Sequence, residues 1–122
     1  MSQIADCSIQ THLLAYWVRE KGAFTFEHAV RMLTHDGATR WGFADRGHVR
    51  KGYVADLNVI DPERVAPVLP TVEHDLPAGA KRLVQRSTGI RATVVHGEPV
   101  LCDGEPTGRL PGRLLRGGPQ VT

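Results

Sequence analysis

Six histidines, two cysteines and one Glu-His-Asp triplet are the residues of this 122-residue sequence best suited to chemistry. His12, His28, His35, His48, His74 and His96 form no HxH, HExxH or HxxxH pair. Such pairs matter because two ligands on one strand face or on adjacent helical turns grip an ion without ordering a long loop. Each histidine is therefore expected at the surface or in a hydrogen bond, and no metal ligand is assigned. Cys7 and Cys102 lie far apart, with no CxxC and no GxSxG elbow, so two idle thiols are expected in place of a disulfide framework or a nucleophile. Cys7 precedes a helix whose positive end favours a thiolate. Glu73-His74-Asp75 places two acids around a histidine, a pattern that suits a proton carrier or a solvated turn, and no nucleophile accompanies it. No GxGxxG or GxxxxGK[ST] phrase offers a nucleotide site. No catalytic residue is assigned.

The elements that would carry these groups fall into two halves. Over residues 8–21, Ile9, Leu13, Leu14, Trp17 and Val18 recur at helical steps, and Gly22 closes the stretch. Thr25 is suited to cap a second helix, with Glu27 in its positive first turn and Phe26, Ala29, Val30 and Leu33 on its buried face. His35-Asp36-Gly37 reads as a stop, followed by one short helical turn over 38–41 closed by Gly42. Beyond Gly47 the apolar runs shorten to strand length, at Leu57–Ile60, 83–85, Ile90–Val95 and 100–102. His96-Gly97 predicts a hairpin turn and Asp103-Gly104 a second. Pro99 lacks an amide donor, so the arm after His96-Gly97 is expected to begin beyond it or to lie on an edge. Pro62 ends the Leu57 strand. Residues 66–80, with Pro67, Pro70 and Pro77, read as an irregular connection that wraps a neighbour or carries function. The fold class is α+β, divided into a helical segment at 1–45 and a β-rich segment at 46–122.

Composition bounds the function. With 41% apolar and 23% charged residues, the chain is neither a disordered tail nor a fibre, and its length suits one modest core. The net charge of +2 is too small to imply a polyanionic partner. Arg109, Arg113 and Arg116 form a basic tail without an acid, and Lys81, Arg82 and Arg86 add to it, leaving anion binding as a minor option. No nucleic-acid partner is expected. No apolar run approaches the roughly 18 residues of a membrane span, and the start MSQIADCS lacks a leader pattern. A cytoplasmic protein without a membrane partner is expected.

The phrase GHVRKGYVADLNVIDPERV, residues 47–65, has physical roles of its own: Gly52 permits a left-handed bend, Tyr53 packs its ring, and Asp56 can accept amide hydrogen bonds. It also resembles the late segment of the amidohydrolase superfamily, where a G-x-[IV]-x-x-G-x-x-A-D-[LI] phrase returns the chain to a β-sandwich. The stretch from His74 onward, especially Asp103-Gly104-Glu105-Pro106-Thr107-Gly108 and Pro111-Gly112-Arg113, is similar to the C-terminal end of the N-acyl-D-amino-acid deacylase (D-aminoacylase-like) branch. Phe26 to Thr34 resembles the closing helix of that branch, in an E-x-A-[VI]-x-x-[LM]-T phrase.

The resemblance implies helices from the end of a TIM-barrel-type domain, followed by part of a β-sandwich. It implies hydrolysis of the amide bond of N-acyl-D-amino acids by a full-length enzyme that uses zinc. The barrel carrying the metal ligands and the final aspartate would precede this segment. Asp6 then belongs to a loop before the first helix, and no metal, cofactor-binding or catalytic residue is carried over. Alone, the chain would be an inactive C-terminal piece; the alternative is a non-catalytic dimerisation or interaction module using Leu13, Leu14, Trp17 and Val18. Helices cut from a barrel expose apolar surface, so a homo-oligomer or an N-terminal barrel chain is the expected partner.

Overall fold

The first apolar stripe winds as α1 (Ile9–His12) and then widens into a π-helical segment, Leu13–Glu20. The computed structural model describes residues 7–115. A π turn takes about 4.4 residues instead of 3.6, so side chains three apart no longer share a face. Leu14 and Ala15 are buried and Leu13 and Val18 pack on the core, while Trp17 is turned half out to solvent. Most of the stripe expected to meet another chain is thus spent on internal packing. Gly22, at φ 61°, ends the segment in the left-handed region.

Thr25 caps α2 (Phe26–Leu33), its hydroxyl accepting the His28 amide at 3.2 Å, and Glu27 sits in the first turn. Ala29 is fully buried, with Phe26, Val30 and Leu33 packed around it. The expected stop at His35-Asp36-Gly37 is corrected: these residues open α3 (His35–Arg40), and the break falls one residue earlier, at Thr34. Asp36 favours the start of a helix because its carboxylate sits in the positive first turn, where it also accepts Arg31 Nε at 3.0 Å. Gly42, at φ 72°, lies just beyond α3.

The second half contains β1 (Leu57–Ile60), β2 (Ala66–Pro67), β3 (Thr71–Glu73), β4 (Arg82–Val84), β5 (Ser87–Thr88), β6 (Ile90–Val95), β7 (Glu98–Cys102) and β8 (Glu105–Pro106). β1, β6, β7 and β8 form an antiparallel sheet in that order. His96-Gly97 and Asp103-Gly104 make its two tight turns, with φ values of 50° and 79°, and 47° and 88°. Positive φ at both central residues matches the turn to strand twist, which is why Gly follows His or Asp there.

Two expectations are corrected in this half. Pro99 lies inside β7, opposite Val94, where the register with β6 shifts; the irregularity absorbs the missing donor. Residues 66–80 are not irregular: β2 pairs β5 and β3 pairs β4, so 66–88 is one long antiparallel arm whose tip holds a 3-10 turn at Pro77–Gly79. The prolines hid it because the ladder is short and interrupted, with Val68 N donating to Arg86 O at 2.9 Å between the two pairings.

Leu14, Ala29 and Val65 form the core, with Ile60 reaching it from β1. Arg19 ties the helical half to the strands, donating from Nη1 to the carbonyls of Pro62 and Val65 at 3.0 and 2.9 Å. The core is small. The chain exposes 9320 Å², where a compact monomer of 13.4 kDa exposes about 6,500 Å². Trp41 is 74% exposed, Val49 90% and Leu69 86%. Among the described residues no helix is long and apolar enough to cross a membrane.

Candidate functional site

The motif-bearing segment between α3 and β1 folds into a strap held at both ends. Val54 N donates to Asp45 O at 2.9 Å, closing the strap on itself. Arg46 donates to Asp45 at 3.1 Å and to Asp56 at 2.5 Å. The other Asp56 oxygen accepts the His96 amide at 2.9 Å, and Ala55 O accepts Gly97 N at 2.9 Å. Ala55-Asp56 therefore clamps the β6–β7 turn to the strap, and the carboxylate is committed to a cation and an amide. That is an anchoring role, in keeping with the amide acceptance the sequence suggested.

Gly47, at φ 87°, lets the strap cross α3 closely: a Cβ there would stand 2.9 Å from both Ala38 Cβ and His35 Cα. The crossing brings His48 against His35, ring centroids 4.2 Å apart, with Tyr53 6.0 Å from His48. Arg50 lies over the Tyr53 ring. Sequence spacing gave no hint of this histidine pair, since twelve residues, the rest of α3 among them, lie between its members.

The other chemical candidates are dispersed. Asp75 accepts two hydrogen bonds from Arg82, at 2.7 and 2.6 Å. The Arg82 hydrogen bond holds the Asp75 carboxyl below its ordinary range, the wrong direction for a general base near neutrality. Glu73 accepts the Thr71 hydroxyl across 3.2 Å, and His74 is exposed at the arm's tip. Cys7 and Cys102 are free and exposed. His12 stacks on Tyr16 and His28 leans on Phe24. Of the basic residues, Arg82 is paired with Asp75 and Arg109 with Glu98, which leaves less charge for an anion. Asp6 and Arg116 lie outside the described residues. Among the described residues no three histidine, cysteine or acidic side chains gather as a metal site, so they do not fit the zinc that the resemblance implies.

A cleft of about 1150 Å³ lies between the helices and β1. Leu14, Phe26 and Val30 form one wall, Leu57 and Ile60 the other, and Trp41 and Val49 also line it. Of its charged lining, Arg31 is paired with Asp36 and Arg46 with Asp45 and Asp56, while Glu27 stands in the first turn of α2.

Comparison with known proteins gives one consistent result. The profile of the Amidohydrolase family matches residues 3–101. The D-aminoacylase of Alcaligenes xylosoxydans xylosoxydans is 38% identical over 103 residues, covering 84% of this chain and 19% of that protein. The N-acyl-D-aspartate deacylase of the same organism is 37% identical over 112 residues, covering 91% and 20%. Its N-acyl-D-glutamate deacylase is 36% identical over 106 residues, covering 87% and 20%. The chain thus spans about a fifth of the length of the curated relatives it matches. A crystal structure of D-aminoacylase, described as defining a novel subset of amidohydrolases, superposes with a TM-score of 0.65 at 33% identity, over 82% of this chain and 19% of that one. A D-aminoacylase mutant in complex with CuCl2 gives 0.70 at 33% identity, over 88% and 21%. A further D-aminoacylase structure, concerned with the role of a binuclear metal center, gives 0.65 at 33% identity, over 82% and 19%.

Proposed function

The chain belongs to the amidohydrolase family, and from that premise we propose that it serves as the C-terminal scaffold of a hydrolase that cleaves the amide bond of N-acyl-D-amino acids. The observation that carries this reading is the even match to three deacylases of different acyl-amino-acid preference, each over more than four-fifths of this chain. A segment shared by enzymes for different substrates is suited to support the site, not to choose among substrates.

The chain's own chemistry supports a scaffold role. Amide hydrolysis needs a polarised carbonyl, an activated water and a placed proton carrier. Here Asp45, Asp56, Asp75 and Asp103 are each paired with an arginine, which commits these carboxylates to contacts within the chain, and the Arg82 hydrogen bond holds the Asp75 carboxyl below its ordinary range. Zinc and the barrel that would hold it are assigned to the part of the family's chain beyond this sequence. The reading places the protein in the cytoplasm.

The test is hydrolysis of N-acyl-D-aspartate and N-acyl-D-glutamate by the purified 122-residue chain with added zinc. No turnover above the metal-only blank is expected. Stoichiometric, metal-dependent turnover would overturn the assignment of the metal site to another part of the chain.

A further inference from the structure

His35 and His48 form a pair of nitrogen donors that the scaffold role leaves unused. His35 opens α3 and His48 follows Gly47 in the strap, and their ring centroids stand 4.2 Å apart with the planes inclined by 40°. The backbones beneath the rings are held in contact, because Gly47 crosses α3 where a Cβ would stand 2.9 Å from His35 Cα. Two ligands carried on backbones already in contact lose little freedom when they close on an ion. Beside the rings lies an opening of about 340 Å³, lined by both histidines, Phe43 and Tyr53. At about 30 Å³ per water, it has room for an ion and the waters that complete its shell.

We propose that His35 and His48 together chelate one late first-row divalent metal ion, of the class of nickel, copper and zinc, with water in the remaining positions. The inference does not rest on the scaffold reading. Ligand chemistry selects the ion: imidazole nitrogen suits these metals, whereas magnesium and calcium call for oxygen donors, and the neighbouring Asp45 and Asp56 spend theirs on Arg46. Arg46 also lines the opening, and the same two carboxylates offset its charge. An imidazole lone pair lies in its ring plane, so convergence on one ion requires one ring to turn until the two nitrogens stand about 3.4 Å apart. His48 is exposed, and its ring torsion has a broad minimum, so this turn leaves the backbone where it is. Among the described residues no third histidine, cysteine or acidic side chain joins the pair. The site is therefore open and exchangeable, unlike a four-ligand structural zinc shell.

The test is a titration of the 122-residue chain with nickel(II) sulfate, in a Cys7→Ser, Cys102→Ser background so that the two exposed thiols do not compete. Calorimetry should give one ion per chain, and paramagnetic broadening of amide signals should centre on the start of α3 and on residues 47–49. His48→Phe keeps an aromatic ring against His35 without its nitrogens, and should weaken binding about tenfold or more, because the gain from a second tethered ligand is lost. His35→Phe should do the same, while His74→Gln, exposed at the tip of the arm, should change nothing. Circular dichroism checks the fold of each variant. Should His35→Phe not fold, the exposed position of His48 and the broadening pattern of the parent still decide.

A parent that takes up no nickel at millimolar concentration, broadening centred on another histidine, or unchanged binding in a folded His48→Phe overturns the proposal. Displacement of nickel by zinc and not by magnesium at the same concentration supports the class of ion named, and equal displacement by magnesium overturns it.

Discussion

Gly89 crosses Val65 so closely that a Cβ on Gly89 would stand 2.3 Å from the Val65 nitrogen. Val65 is the fully buried centre of the core, and Gly89 O accepts the Asp61 amide at 2.8 Å, so the approach to β6 is locked over the turn after β1. Gly89 also has φ 74°, which disfavours any side chain.

Gly89→Ala is therefore expected to cost about 2–4 kcal/mol, from backbone strain plus displacement of the core. Urea unfolding followed by circular dichroism measures it. A midpoint equal to that of the parent would show that the crossing can relax freely.

Asp56→Ala removes the acceptor of Arg46 Nη1 and the acceptor of the His96 amide at once, while Asp45 still holds Arg46 Nε. A loss of about 1–3 kcal/mol is expected, since two donors are left unsatisfied. Exchange at His96 and Gly97 should quicken before that at β4, because the clamp is local. Uniform quickening would argue against a clamp.

Arg19→Met keeps the apolar stem and deletes the bonds to the Pro62 and Val65 carbonyls. The expected cost is about 1.5–3 kcal/mol, the range for hydrogen bonds to a charged group. The helical half should loosen from the strands, so Trp17 fluorescence should change together with unfolding. An unchanged spectrum and midpoint would count against this tie.

Asp75 has its pKa lowered by the Arg82 hydrogen bond, so whatever the pair contributes is present above the ordinary carboxyl value of 3.8 and lost as pH falls through the lowered folded value. Both groups are solvent-exposed, so the effect belongs to the arm's tip and not to global stability. A carbon-13 titration of the Asp75 carboxyl reads it. Arg82→Gln should raise the midpoint towards 3.8, and a midpoint that stays put would separate the shift from Arg82.

Much of the fold could be read from the residues. The Thr25 cap, the two Gly-containing turns and the strands Leu57–Ile60 and Ile90–Val95 stand where propensity and turn chemistry place them. The amidohydrolase motif was legible too, because Gly47, Gly52 and Asp56 each meet a local demand: a close crossing, a left-handed bend and an amide acceptor. Three features were not. The π-helical widening has no pattern that separates it from an α-helix, and the start of α3 was masked by a Gly that also suits a stop. The arm over 66–88 joins short pairings whose prolines argue locally for irregular chain.

By itself the sequence determined the local states, because caps, turns and apolar periodicity act within a few residues. It also determined family, since motif residues are legible without coordinates. Only the tertiary structure decided which groups meet: the His35–His48 contact, the Asp56 clamp and the groove beside β1 depend on segments brought together by packing. Long-range pairing is set by the sum of many weak contacts and steric exclusions, such as Gly89 on Val65, and no short window of sequence contains that sum.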